Sequence, residues 1–270
     1  MCGRFVQALQ PQKIVDYFGV DPSSIAKAVL EPNFNVSPSQ KILHVLANIE
    51  RAHVEEGYSR EQEWVERERG SRSTEGNYEV RIAERIRWGL VFPWAKSERS
   101  GPNPINARVE SLTTKQTFRK IFLGQRSLVP ADGFYEWRKV GSGRKIPYFI
   151  KSAADEPLAI GAIWSIWCPP DGGIPLRSCA LITVPAPSEL RDIHDRMPAL
   201  VDPSNFDRWL DPEYSQAEVL LEMLRPTEAW MLEWYPVSAR VNNPSVNDPS
   251  LIVPEKGQSI ASQRTTRTGQ

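Results

Sequence analysis

The residues best suited to chemistry stand at the very start of the chain, in Met1-Cys2-Gly3-Arg4-Phe5. An initiator Met before a small residue is ordinarily removed in the cytosol, so Cys2 is expected to become the first residue. Its α-amine and thiol then form a 1,2-aminothiol that can capture an aldehyde twice. The amine condenses to an imine with loss of water, and the neighbouring thiol closes a five-membered thiazolidine. An internal cysteine cannot do this. A terminal amine titrates near ~7.7–8.0, which leaves a neutral fraction at pH 7, and a nearby cation such as Arg4 lowers a thiol's pKa. On these residues alone two other readings stay open. Cysteine in a first strand commonly acts as a small hydrophobe, and a terminal nucleophile can also attack an amide carbonyl.

Three further places carry candidate groups. Asn106 and Arg108 alternate along Ile105-Asn106-Ala107-Arg108 and so point the same way from an extended segment, one to hold a reacting group and one to grip a phosphate. Glu136 lies among aromatic and basic neighbours in Gly133-Phe134-Tyr135-Glu136-Trp137-Arg138. A carboxylate there is costly unless paired or functional, which makes it a candidate general acid or base, with a structural ion pair as the competing reading. His194 stands in the polar, turn-forming His194-Asp195-Arg196-Met197-Pro198, as a candidate proton donor beside an arginine clamp. His44 sits inside an apolar strand pattern instead. Three scattered cysteines, Cys2, Cys168 and Cys179, and three histidines give no disulfide framework and no metal site, and no cofactor is expected. Core packing is the expected role of Cys168 and Cys179.

The formal net charge is zero, yet the distribution is uneven. From Arg85 to Lys151 there are 14 Lys and Arg against 4 Asp and Glu, interleaved with Trp88, Trp94, Phe118, Phe122, Phe134, Tyr135 and Trp137. That combination meets the electrostatic and stacking needs of a single-stranded nucleic acid, although ordinary solvated faces give the same counts. No apolar run approaches the ~20 residues of a membrane span, and no leader precedes the opening, so a soluble, unsecreted protein without a membrane partner is expected.

Strands and helices must position these groups. The pattern predicts a helix over Pro11 to Phe18 stopped by Gly19, a turn-rich loop from Asn33 to Gln40, a strand from Lys41 to Ala47, and another from Arg85 to Val91. Asn35 and Pro38 are read first as loop geometry. One helix is expected from Ser111 to Leu123. Further strands are expected at Gly133 to Trp137, Pro147 to Ser152, Leu158 to Trp167, Cys179 to Val184 and Trp230 to Val237. A short helix from Ala186 to Ile193 delivers His194, and two helices follow at Asn205 to Leu210 and Gln216 to Leu224. Residues 51–84 are rich in Glu and Arg with few apolar residues, and read as a mobile insertion. Residues 255–270 read as a disordered tail.

Taken together, Cys2-Gly3-Arg4-Phe5, Asn35 with Pro38, Trp88-Gly89-Leu90, Asn106-Ala107-Arg108-Val109-Glu110, Gly133-Phe134-Tyr135-Glu136-Trp137, His194-Asp195-Arg196-Met197-Pro198, and Val237-Ser238 with Val241-Asn242 resemble the SRAP family, abasic-site processing proteins first described as SOS response-associated peptidases. The resemblance implies one α+β domain over residues 1–254, with strongly curved, mainly antiparallel, barrel-like sheets and peripheral helices. It implies covalent crosslinking to abasic sites in single-stranded DNA, with Cys2 as nucleophile and possible self-removal of Met1. It also implies that Asn106 orients the terminal amine and the sugar, that Glu136 moves protons, and that His194 protonates the sugar ring oxygen. Arg4, Arg108 and Arg196 are then expected to hold phosphates. Trp88, Trp137 and Pro38 are expected to pack near the bases or floor the pocket. The expected state is a monomer, with the replication machinery as candidate partner, cytoplasmic and nucleoid-associated in a prokaryote or nuclear in a eukaryote. The alternative is an N-terminal-nucleophile hydrolase acting on peptides or glutamine, because Met-Cys-Gly openings also resemble class II glutamine amidotransferases.

Overall fold

Two long apolar strands, Leu158–Trp167 (β9) and Leu176–Pro185 (β10), are buried along nearly their whole length. A strand with this pattern must be covered on both faces, as it is in a closed barrel packed from outside. The computed structural model describes residues 2–28, 31–47, 81–141, 143–224 and 231–255. In it β10 pairs antiparallel with β9 on one edge and parallel with Arg81–Trp88 (β4) on the other. β4 continues antiparallel to Lys41–Ala47 (β3), then to Arg126–Ala131 (β6), and β6 returns to β9, so the ring closes on five strands. The expected α+β class with barrel-like, mainly antiparallel sheets is the one observed.

A second, antiparallel sheet packs on this barrel. Its order is Leu232–Pro236 (β12), Arg144–Ser152 (β8), Gly133–Val140 (β7), Phe5–Gln7 (β1), Asn33–Val36 (β2). Both of its faces are covered, and the alternation of β1 and β7 divides between them. Phe5 and Phe134 enter the main core, whereas Val6 and Tyr135 join a smaller cluster with Phe149, Tyr235, Val241 and Leu251. Gly133 starts β7 because nothing larger fits. A Cβ there meets the Phe149 ring at 2.4 Å and the Ile150 carbonyl at 2.6 Å.

Helices lie outside the sheets. Pro11–Phe18 (α1) is entered through Pro11, which gives up no needed N–H, and is closed by Gly19 in the left-handed region at φ 62°, as expected. Pro22–Ala28 (α2), Val109–Thr114 (α3), Gln116–Gly124 (α4), Phe206–Leu210 (α5) and Ala217–Glu222 (α6) are the other α-helices among the described residues. None of the described helices is long and apolar enough to cross a membrane.

Several expectations need correction. The loop from Asn33 begins as β2, since those residues find an open edge on β1. The single helix over Ser111 to Leu123 is two, broken at Lys115 with φ −94° and ψ 116°. Leu112 and Phe118, six residues apart, would diverge by about 120° on one continuous helix, and the break lets both face the core. Only Ser188–Leu190 of the expected Ala186 to Ile193 helix coils, as a single 3₁₀ turn that starts after Pro187. Arg196–Pro198 pairs with β10 as an unforeseen strand, β11. Residues 81–84 of the expected insertion belong to β4, and the insertion's remaining residues lie outside the described ones. So does the expected tail apart from Glu255, whose N–H donates to the Pro236 carbonyl at 3.0 Å. Cys179 is buried as expected, but Cys168 is exposed just beyond the end of β9.

Candidate functional site

The start of the chain is placed by strand register. Phe5 pairs with Phe134, and the Tyr135 N–H donates to the Arg4 carbonyl at 3.0 Å. One step further, Gly3 comes beside Glu136. Glu136 shares its strand face with Phe134, which points at the barrel, and this explains why the carboxyl is only 3% exposed. Cys2 is fully buried in the same core, its thiol donating to the Arg4 carbonyl at 3.7 Å.

The barrel reaches this point through a short strand, Asn106–Arg108 (β5), which pairs parallel with Leu181–Thr183 of β10. Asn106 Nδ2 donates to the Cys2 carbonyl at 2.8 Å, tying the first residues of one sheet to the edge of the other. On the opposite edge of β10, Thr183 pairs with Pro198 of β11, and His194 stands two residues before that strand. Cys2, Asn106 and Glu136 are therefore brought together. His194 enters from the far side of β10, beside Asp195, whose charge is felt at Glu136.

Burial sets the protonation states. It pushes the Cys2 thiol far above its ordinary value, and the Glu136 charge pushes in the same direction, so the buried sulfur is a neutral thiol at pH 7. Burial also raises Glu136, from 4.5 to about 7. A carboxyl poised there can both take and return a proton. Burial lowers His194, whose Nδ1 accepts the Arg196 N–H at 3.0 Å. That backbone donor fixes the neutral ring with its proton on Nε2. The Asp195 carboxylate, also 3.0 Å from Nδ1 and 83% exposed, becomes a partner only when the ring is protonated.

The expected DNA-contacting residues fare unevenly. Arg108 is exposed on β5. Arg4 has Nη1 committed to Asn35 Oδ1 and the Val241 carbonyl, both at 2.7 Å. Asn35 in turn donates Nδ2 to the Val241, Asn243 and Val246 carbonyls, so it clamps the C-terminal segment onto β2. Arg196 is engaged by Glu110 through both terminal nitrogens, at 2.6 and 3.0 Å, and is not an open clamp. Pro38 is half-buried in the turn between β2 and β3.

Trp88 is fully buried, edge-on to Phe5 at 5.3 Å, its indole donating to the Ile105 carbonyl at 2.8 Å. It floors the site and offers no face to a base. Trp137 is half-buried and donates to Asn242 Oδ1 at 2.7 Å. Trp94, not among the expected site residues, is 62% exposed and stacked on Phe92 at 4.9 Å. Thr183 was also missed. Its Oγ1 and Asn106 Oδ1 are buried without a hydrogen-bond partner among the described residues, and the β5–β10 register puts both side chains on one face. A polar residue inside the apolar run Leu181-Ile182-Thr183-Val184 was the available signal.

Comparison with known proteins identifies the family of the chain. The abasic site processing protein YoqW of Bacillus subtilis is 34% identical over 252 residues, covering 93% of this chain and 99% of that one. The abasic site processing protein YoaM of the same organism is likewise 34% identical, covering 93% and 97%. The abasic site processing protein HMCES of Pongo abelii is 35% identical over 204 residues, which span 64% of this chain and 57% of that longer protein. A solved protein of Bacteroides thetaiotaomicron shares the fold, with TM-score 0.73 at 21% identity over 94% of this chain and all of that one. The family described as SOS response associated peptidase matches residues 1–244, and this chain belongs to that SRAP family.

Proposed function

We propose that this protein processes abasic sites in single-stranded DNA by capturing them covalently through Cys2, once Met1 has been removed. The observation that carries the reading is the 2.8 Å hydrogen bond from Asn106 Nδ2 to the Cys2 carbonyl, which holds the first residues beside a carboxyl poised near pH 7. The names and the 34% identity of the Bacillus relatives over nearly their full length support it.

An abasic sugar opens to an aldehyde. The Cys2 amine adds to its carbon, a proton moves from nitrogen to oxygen, and water leaves to give the imine. The thiol sulfur then adds to the imine carbon while its proton passes to nitrogen, closing the thiazolidine. Glu136 is the group that carries these protons, since burial keeps the sulfur protonated until a base takes its hydrogen. Asn106 aims the nitrogen and sulfur by fixing the Cys2 carbonyl. His194 Nε2–H supplies a proton to the sugar ring oxygen as the ring opens. The exposed Arg108, Lys115, Arg119 and Lys120 attract the strand, and Trp94 and Trp137 stack against its bases.

A denaturing gel tests this directly. Purified protein mixed with a single-stranded oligonucleotide bearing one abasic site is expected to give a slow-migrating adduct, absent with the intact strand and with Cys2→Ala. No adduct from the wild type, or glutamine or peptide turnover in its place, contradicts the reading.

A further inference from the structure

Arg196 and Glu110 form a pair whose two members differ in freedom. Arg196 is fixed: its strand pairs with β10, its backbone N–H is held by His194 Nδ1, Nη2 also donates to the Thr183 carbonyl at 2.5 Å, and its side chain is 11% exposed. Glu110 lies in the first turn of α3 with its side chain 54% exposed. Its two oxygens take both terminal nitrogens of the guanidinium, the fork geometry in which arginine also binds phosphate. Nε of Arg196 is buried without a hydrogen-bond partner among the described residues, so the guanidinium keeps a donor that neither Glu110 nor Thr183 uses. Two residues before Glu110, the exposed Arg108 brings a strand's phosphates to the same edge.

We propose that Glu110 determines selectivity at this site by occupying the Arg196 fork in place of a phosphate, so that an intact strand binds with one phosphate contact fewer. The inference rests on the reading of the site as one for single-stranded DNA. The carboxylate is a built-in competitor on a movable arm, and the arginine behind it is a preformed phosphate seat. An intact strand has to displace Glu110 and is released easily. A strand held by its sugar at Cys2 keeps its flanking phosphate at high local concentration and displaces the carboxylate.

The test is a cycle of four proteins, namely wild type, Glu110→Gln, Arg196→Gln and the double variant, titrated with an abasic-free oligothymidylate by fluorescence anisotropy across a salt series. Glu110→Gln is expected to bind about two- to fivefold tighter at low salt, the size of an exposed ion pair. Its logarithmic salt dependence is expected to steepen by about 0.7, the value of one phosphate on a single strand. In the Arg196→Gln background the same substitution is expected to change neither quantity. An equal gain in both backgrounds, which is what general loss of a negative charge produces, overturns the proposal, as does no gain in either. Arg196→Met, which keeps the stem and removes the charge, supplies the second background if Arg196→Gln melts early. Because the probe has no abasic site, the cycle is read independently of adduct formation. Loss of the adduct with the cycle intact removes the covalent reading alone, and an intact adduct with a flat cycle removes this one alone.

Discussion

Glu136→Gln separates the chemical role of the buried carboxyl from its cost to the fold. Burial in the barrel-facing layer raises this group from 4.5 to about 7. At about 1.4 kcal/mol per pH unit, that difference is on the order of 3 kcal/mol. Between those two values the folded protein holds a proton that the unfolded chain has lost. The stabilisation is therefore complete below pH 4.5 and is lost as pH rises through 7. Gln cannot ionise, so the variant escapes that loss. The variant's melting temperature is expected to equal that of the wild type near about pH 4 and to exceed it above about pH 7.5, at about 2–4 °C per kcal/mol. Over the same range adduct formation is expected to fall by about 10²-fold or more, the usual size of a lost general acid–base group. Scanning fluorimetry across pH and a timed crosslinking gel read the two effects on one preparation. A melting difference that is constant or shrinks with pH, or an adduct formed at the wild-type rate, refutes the assignment.

His44, buried in β3 with Nδ1 2.8 Å from Ser127 Oγ, is held down to about 3 by burial. Its contribution to stability is present above 6.5 and is lost as pH falls toward 3, the opposite sign to Glu136, so His44→Gln is expected to flatten the acid limb of the melting curve. Trp94→Ala is expected to weaken binding of intact single-stranded DNA by about 1–3 kcal/mol and to cost only about 0.5–1.5 kcal/mol of stability, the size of its stack on Phe92. Trp88→Ala is expected to cost about 3–5 kcal/mol of stability from the cavity it leaves, and anisotropy with calorimetry distinguishes the two. Asn106→Ala frees the Cys2 carbonyl. Adduct formation is expected to drop at least tenfold while stability changes by only about 1 kcal/mol, and retention of the wild-type rate contradicts the aiming role.

The parts of the fold legible in sequence were those with local causes. Pro11 and Gly19 delimit α1 by their own backbone preferences, and the long apolar run of β9, interrupted only by Ser165, left little choice but a covered strand. The parts that were not legible depend on distant partners. β2 exists because β1 offers an edge, and β11 because β10 does. The break at Lys115 follows from where Leu112 and Phe118 must both point, which helical periodicity alone does not reveal. Barrel closure depends on β10 lying parallel to the far earlier β4, a pairing that no single segment encodes.

The candidate site divides in the same way. Cys2, Asn106 and Glu136 were legible because their chemistry is conspicuous in its setting, and their meeting was not, since it depends on β1–β7 register and on β5 lying beside β10. Arginines were the least legible residues. Sequence gives their charge, but only the structure reveals that Arg4 is spent on Asn35 and Arg196 on Glu110. Trp88 and Trp94 illustrate the same limit, because two aromatic residues six positions apart in a basic stretch look alike until one is found buried and the other exposed.

The most direct measurement is the mass and linkage of the adduct formed on abasic single-stranded DNA, read intact and then by fragmentation of the amino-terminal peptide. The account predicts the chain without Met1 plus the strand less one water, joined at Cys2 and stable without added reductant. A linked chain that still carries Met1, or a bond at a lysine that survives only after reduction, contradicts it.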